Sequence, residues 1–271
     1  MIYLLSFKLS DKKLSDPNIY PYNVFKDKDT EPFVFSPITV LYGNNGCGKS
    51  TVLNIIANKL DLKGKEWATP NTFGIVDYCG TFSSDCSYCL ADDEFGHQIK
   101  IIPKNSRYLK SEDILYEIKK IQQRQVLADG MLYDHVKNGM ERIEAQKYLS
   151  SREGSRQQEF IEFGQEKYSN GETSLRYFED FILPDALYLL DEPEVSLSPA
   201  NQVLLAEEIN RMSRFLGCQF IIATHSPFML GTLDAKIYNL DSDDYTVCRW
   251  SELENVRYFY DFFKKRESEF E

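Results

Sequence analysis

Hydrophobic residues in this chain gather into short unbroken runs in some places and recur at helical spacing in others. Ile38-Thr39-Val40-Leu41-Tyr42, Ala186-Leu187-Tyr188-Leu189-Leu190 and Gln219-Phe220-Ile221-Ile222-Ala223 are continuous apolar or β-branched stretches, and that length and composition predict strands buried on both faces. After the first of them, Lys49 to Leu60 carries Val52, Leu53, Ile55, Ile56 and Leu60 with no internal Gly or Pro, which predicts a largely apolar helix. Asn201 to Leu216 reads as a helix between the other two strands. Strand, helix and strand in that order predict parallel pairing. Ile2 to Leu9 and Phe33 to Tyr42 are β-like runs flanking a polar segment with Pro17, Pro21 and Pro32, a long loop. Further strand candidates are Phe73 to Tyr78 and Gln98 to Ile102. Ala235 to Leu240 and Tyr245 to Trp250 predict an edge hairpin around Asp241-Ser242-Asp243-Asp244, and Val256 to Phe263 an aromatic helix.

The middle of the chain has a different texture. Ile114, Leu115, Ile118, Ile121, Val126 and Leu127 mark one face of a helix starting near Ser111, and Met131 to Leu149 reads as a second, polar helix. Ser150 to Glu159 is almost wholly polar and predicts an exposed loop, and another helix runs through Leu175, Tyr177, Phe178 and Phe181. Together these predict a helical insertion at about 111–182 within a single domain spanning 1–271.

Composition narrows the setting. The 271 residues are 42% hydrophobic and 27% charged, enough for a large α/β core, and the formal net charge is −11. Such a surface repels nucleic acid and anionic membranes unless a local basic patch overrides the mean. No apolar stretch reaches the roughly 20 residues of a membrane span, and Met1-Ile2-Tyr3-Leu4-Leu5-Ser6-Phe7 lacks the features of a signal peptide. With six scattered cysteines, the expected location is the cytoplasm, with no membrane partner.

Chemistry enters at the end of the first buried run. Gly43, Asn44, Asn45, Gly46, Cys47, Gly48, Lys49, Ser50 and Thr51 satisfy G-x-x-x-x-G-K-[ST] at every fixed position, between a predicted strand and a predicted helix. The glycines let successive backbone N–H groups turn toward phosphate oxygens, and the helix N-terminus adds partial positive charge. Lys49 then reaches the β- and γ-phosphates of ATP, and the Ser50 hydroxyl ligates Mg²⁺. Cys47 occupies a variable position and reads as a tolerated small residue. The second buried run ends in Asp191-Glu192, placing Asp191 on Mg²⁺ through water and Glu192 on the attacking water. The third ends in Thr224-His225-Ser226-Pro227, which points His225 at the γ-phosphate. Ser169 and Gly171, in Tyr168-Ser169-Asn170-Gly171-Glu172, open a helix with a capping box, a terminus able to grip a phosphate. Tyr20-Pro21-Tyr22-Asn23-Val24 could face an adenine ring, though an aromatic loop more often packs locally.

Phosphate loop, Ser-x-Gly-Glu, Asp191-Glu192-Pro193-Glu194 and Thr224-His225-Ser226-Pro227, in this order, resemble the ATP-binding-cassette ATPases. Within that class the chain resembles the SMC, RecF and OLD-type heads, and most of all the small stand-alone AAA/ABC-type ATPases. It implies an α/β P-loop NTPase with a parallel core sheet, an antiparallel β lobe and a short helical insertion. It also implies a head-to-tail dimer that sandwiches two ATP molecules: Ser169 and Gly171 of one copy face the γ-phosphate held by Lys49, Ser50 and Asp191 of the other. Val195 to Ser198 would form the D-loop. The signature departs from Leu-Ser-Gly-Gly-Gln, and Arg107-Tyr108-Leu109-Lys110-Ser111-Glu112-Asp113, just past a strand, is the expected Q-loop equivalent, with Glu112 standing in for the glutamine. Relatives of this kind operate beside protein effectors in bacterial defence, so the expected function is an ATP-driven switch for a protein partner. The alternatives are a transporter subunit and a RecF-like DNA-repair ATPase, with DNA binding left open. Finally, Cys79, Cys86, Cys89 and His97 offer four soft ligands within 19 residues, and Zn²⁺ is weighed there against unpaired cysteines.

Overall fold

The computed structural model describes residues 1–12, 19–26, 28, 31–66, 77–93, 95–111, 131–133, 135–137, 140–149, 151, 182–195 and 197–270. The chain divides into two compact units, one made of Met1–Ser111 and Ile182–Glu271, the other of Glu112–Phe181.

In the first unit the long unbroken hydrophobic runs become the centre of a six-stranded sheet. Its strands in chain order are β3 (Ile38–Tyr42), β5 (Arg107–Lys110), β6 (Leu187–Asp191), β7 (Gln219–Ala223), β8 (Lys236–Asn239) and β9 (Val247–Cys248). Across the sheet the order is β5-β6-β7-β3-β8-β9. All neighbours are parallel except β8 and β9, the predicted edge hairpin. β3, β6 and β7 are buried at every position, as continuous apolar strands covered on both faces must be. A smaller antiparallel sheet, β2-β1-β4, is formed by β1 (Leu4–Lys8), β2 (Phe33–Val34) and β4 (Ser87–Leu90). The run Phe33 to Tyr42 is thus two strands in two sheets, split at Ser36-Pro37. Gln219 joins the sheets: its fully buried amide accepts from Tyr3 and Leu4 N–H at 2.8 and 2.9 Å and donates to Leu4 O at 2.9 Å. That leaves no buried polar atom of the side chain unmet.

The helices close the core. In α2 (Lys49–Lys59) Val52, Leu53, Ile55, Ile56 and Ala57 are all 0% exposed. Each of the four larger side chains contributes roughly 1.5–3 kcal/mol of burial. α5 (Pro199–Phe215) starts at Ser198, whose hydroxyl accepts from Asn201 N–H, with Pro199 in the first turn. α6 (Pro227–Thr232) repeats the device with Ser226 and Pro227. α1 (Tyr22–Phe25) is short, and α7 (Glu254–Lys264) is the aromatic helix expected near the C-terminus.

Three expectations are corrected. Tyr78 opens a helix, α3 (Tyr78–Asp85), not the end of a strand, and the Asp77 carboxylate caps it by accepting from Gly80 N–H at 2.7 Å. Gln98 to Ile102 is not a strand; it contributes one isolated bridge, Asp92 to Gln98, while the strand lies at Arg107–Lys110. In the second unit, Met131–Tyr133 and His135–Lys137 are helical, Met140 leaves the helix, and α4 spans Arg142–Leu149. Met140 N–H there donates to His135 O at 3.0 Å. The expected helix through Ile114 to Leu127, the loop at Ser150 to Glu159 and the helix through Leu175 to Phe181 lie outside the described residues.

Candidate nucleotide site

Register brings the motifs together. Leu41 pairs with Ala223, Ala223 with Asp191, and Tyr42 with Asn239, so β3, β6, β7 and β8 end along one edge. The segments leaving that edge are the phosphate loop, Glu192, Thr224-His225-Ser226 and Leu240-Asp241. Because β7 lies between β3 and β6, His225 stands between the phosphate loop and the Asp-Glu pair. In open parallel sheets the carboxyl edge is where ligands bind.

Gly43 is buried in the loop, Asn44, Asn45 and Gly46 are exposed, and Cys47 and Gly48 are half-buried. Gly48 caps α2 at φ 101°, left-handed geometry that glycine adopts without strain, and a Cβ there would stand 2.6 Å from Val24 Cγ1. No side chain caps α2, so its first-turn N–H groups keep their capacity for phosphate oxygens. Lys49 is only 5% exposed, and its ammonium donates to Gly43 O at 2.8 Å and Asn44 O at 3.2 Å. From outside the loop, Asp241 accepts from Asn44 N–H at 2.9 and 3.1 Å through its two oxygens. Tyr20 lies beside Thr51, hydroxyl to hydroxyl at 3.5 Å, and stays 44% exposed, whereas Tyr22 and Phe25 are buried against Phe82. That segment packs onto the loop.

Two carboxylates flank the loop. Asp191, 8% exposed, accepts from the Ser50 hydroxyl at 3.0 Å and from the Tyr108 hydroxyl at 3.1 Å. Burial pushes its pKa up, the Ser50 and Tyr108 hydrogen bonds pull it back, and Glu192 raises it further. The Tyr108 phenol is pushed far above its ordinary 10 by burial and then by the Asp191 charge, so it remains a donor. Glu192 adopts φ 47°, donates its N–H to Ala223 O at 2.9 Å, and places Oε1 3.4 Å from His225 Nδ1. A left-handed non-glycine residue costs about 1–3 kcal/mol and is held by its surroundings, here the pairing with β7. The next acid, Glu194, is buried and accepts from the Thr224 hydroxyl and from His225 N–H, which ties the segment after β6 to the end of β7. Ser226 donates to Gln202 Oε1 at 2.6 Å, fixing the same turn to α5.

An uncapped helix terminus, a buried ammonium and a Ser-Asp oxygen pair fit a nucleoside triphosphate with its divalent cation. The residues that would hold these groups are Lys49, Ser50, Asp191 and the loop N–H groups. Ser169, Gly171 and Glu112 lie outside the described residues, as does Ser196 of the Val195–Ser198 segment. The Zn²⁺ expectation is corrected, because the four ligands do not converge. Cys79 Sγ faces Asn54 and Asn58 of α2, buried Cys86 donates to Phe82 O, Cys89 is exposed on β4, and exposed His97 pairs with Asp93. No cluster able to hold a metal occurs among the described residues. Tyr108, Asp241 and Glu194 had no role of their own in the sequence reading. Tyr108 lies in the stretch that stands as the Q-loop equivalent and Glu194 in Asp-Glu-Pro-Glu, whereas Asp241 carried no signal.

A phosphate loop after one buried strand, an Asp-Glu pair after a second, and a histidine-bearing strand between them define a P-loop ATPase of the ABC type. The chain belongs to the family described as "AAA domain, putative AbiEii toxin, Type IV TA system", whose sequence profile matches residues 68–231, more than half of the chain. The phosphate loop precedes that segment. No curated protein matches the sequence. Among solved structures, the chain is similar to an Smc head domain from Pyrococcus furiosus, bound there to the C-terminal domain of ScpA (16% identity, TM-score 0.46, 98% of this chain and 100% of that one). It is similar also to CbiO1 of Clostridium perfringens, part of an ABC transporter complex (16%, 0.47, 98% and 96%), and to the SMC head domain from Thermotoga maritima (14%, 0.44, 92% and 99%). Among the described residues no helix is long and apolar enough to cross a membrane.

Proposed function

We propose that the chain hydrolyses ATP in a composite site completed by a second copy facing it head to tail, and that closing and opening of this pair switches a protein effector. The carrying observation is exposure at the sheet edge. Asp191 and Lys49 are buried, but the His225 and Glu192 side chains remain 46% and 29% exposed, so the catalytic side faces outward. A site that excludes water during hydrolysis needs a cover, and Ser169 with Gly171 of the second copy would supply it. Lys49 and the loop N–H groups hold the phosphates, and Ser50 with Asp191 holds Mg²⁺, which when bound neutralises phosphate charge. Glu192 accepts a proton from the attacking water, while His225, steadied by Glu194, faces the γ-phosphate. The insertion at about 111–182 belongs on this reading to the same ATPase domain.

Glu192→Gln keeps the shape and removes the base. With ATP this variant should run as a dimer by light scattering and return to monomer with ADP; a monomer under ATP refutes the sandwich. The family description, naming a toxin of a type IV toxin–antitoxin system, supports an effector-linked role. Expression of the intact chain should then slow bacterial growth, alone or with its effector, and Lys49→Ala should relieve it.

A further inference from the structure

We propose that Tyr108 is a positioning residue for the divalent cation: its hydroxyl holds one oxygen of Asp191 so that the other, paired with Ser50, faces the metal. This rests on the reading of Asp191 as a metal ligand. A carboxylate turns on a soft terminal torsion, whereas a ligand must be held within about 0.5 Å of its working position. Here each oxygen has its own donor, Ser50 on Oδ1 at 3.0 Å and Tyr108 on Oδ2 at 3.1 Å. With Oδ2 engaged by the phenol, the carboxylate is kept from swinging and presents Oδ1 beside the Ser50 oxygen.

The phenol is itself built in. Tyr108 is 1% exposed, its N–H donates to Lys63 O at 2.8 Å, and Gly64 stands so close to its carbonyl that no Cβ fits there. The Lys110 ammonium lies 5.6 Å from the ring centroid and is paired with Glu66. Glu66 is held in turn by Asn54, whose amide donates to Oε2 at 3.1 Å and whose Oδ1 accepts from Glu66 N–H at 3.1 Å. Asn54 lies on α2 one turn beyond Ser50. Polar contacts therefore start from α2 at Ser50, pass through Asp191, Tyr108, Lys110 and Glu66, and return to α2 at Asn54, so both metal oxygens are referred to one helix. A tyrosine that merely satisfied a buried carboxylate would need no such frame.

The test reads Mn²⁺ binding to the ADP complex of the full chain by electron paramagnetic resonance. Tyr108→Phe should weaken Mn²⁺ about tenfold, the usual cost of losing a group that orients a metal ligand, while ADP affinity in EDTA stays within about twofold. Glu66→Gln, at a more exposed link, should weaken Mn²⁺ by a smaller factor in the same direction and covers the case in which the phenylalanine variant folds poorly. Unchanged Mn²⁺ affinity in both variants, with Asp191→Asn losing it, overturns the role of Tyr108 alone. Unchanged affinity in Asp191→Asn as well overturns the metal reading of Asp191 and the proposal with it.

Discussion

Replacing Gly64 by alanine tests whether the strand carrying Tyr108 is set by its neighbour. Gly64 has φ 87°, and a Cβ on it would overlap the Tyr108 carbonyl oxygen, inside the 3.0 Å that real Cβ atoms essentially never breach. Relief takes a displacement on the order of 1 Å, whereas the 3.1 Å bond from Tyr108 to Asp191 has only a few tenths of an ångström before it is lost at roughly 3.5 Å. Left-handed geometry costs alanine about 1–2 kcal/mol, and the displaced strand adds about one hydrogen bond, roughly 1 kcal/mol. A total of about 2–3 kcal/mol lowers Tm by about 4–12 °C for an ordered unit of this size. Gly96 supplies the control: its φ is 78°, but a Cβ there meets nothing within 4 Å. Gly96→Ala should therefore lose only the left-handed term, and so melt about 2–4 °C higher than Gly64→Ala. Scanning calorimetry compares the two, and Mn²⁺ affinity of the ADP complex should fall in Gly64→Ala alone. Equal melting shifts, or an unperturbed Mn²⁺ affinity in Gly64→Ala, would refute the argument.

Three further outcomes are expected. Asp241→Ala removes the acceptor on Asn44 N–H and should weaken ADP binding by roughly two- to tenfold in calorimetric titration; unchanged affinity would show that the loop holds its shape alone. Burial raises the pKa of Glu194 above its ordinary 4.5, so the folded state binds this proton more tightly than the unfolded state. Its contribution to stability is present below 4.5 and is lost as pH rises toward the folded value. Glu194→Gln lacks that loss, so its stability relative to wild type in urea should improve from pH 4.5 to 7.5; a flat difference contradicts the burial. Burial pushes the thiols of Cys79, Cys86 and Cys218 up to about 11, while Cys89 is exposed on its strand. At pH 8 a thiol reagent should modify Cys89 quickly in the native protein and those three only after unfolding, read by peptide mass mapping; rapid modification of Cys86 would contradict its packing.

The parts of the fold legible in the sequence were those whose cause is local. β6 and β7 are covered on both faces, so Leu187 to Leu190 and Phe220 to Ala223 stand out as unbroken apolar runs. β5 is the edge strand of its sheet, paired along its length with β6 and bridged at one point to Lys63, and Arg107-Tyr108-Leu109-Lys110 has its buried pair framed by two cations, which conceals a strand. α3 is concealed for another reason: Tyr78 to Asp85 holds glycine, serine and threonine, weak helix formers, and is stabilised by the Asp77 cap and by Phe82 buried in the core. The cysteine spacing suggested a metal because sequence distance carries no direction. Cys86 turns inward at the end of α3, and Cys89, three residues on, turns outward on β4.

By itself the sequence determined the phosphate loop, the Asp191-Glu192 pair and the order of the elements around them, because each is a contiguous segment whose chemistry and backbone demands lie within a few residues. Tertiary structure alone decided that β7 lies between β3 and β6, that Tyr108 and Ser50 share Asp191, and that Asp241 holds the loop from outside. Those contacts join residues up to 197 positions apart, and the register that creates them is set by burial of whole strands in one core, which no short stretch of chain encodes.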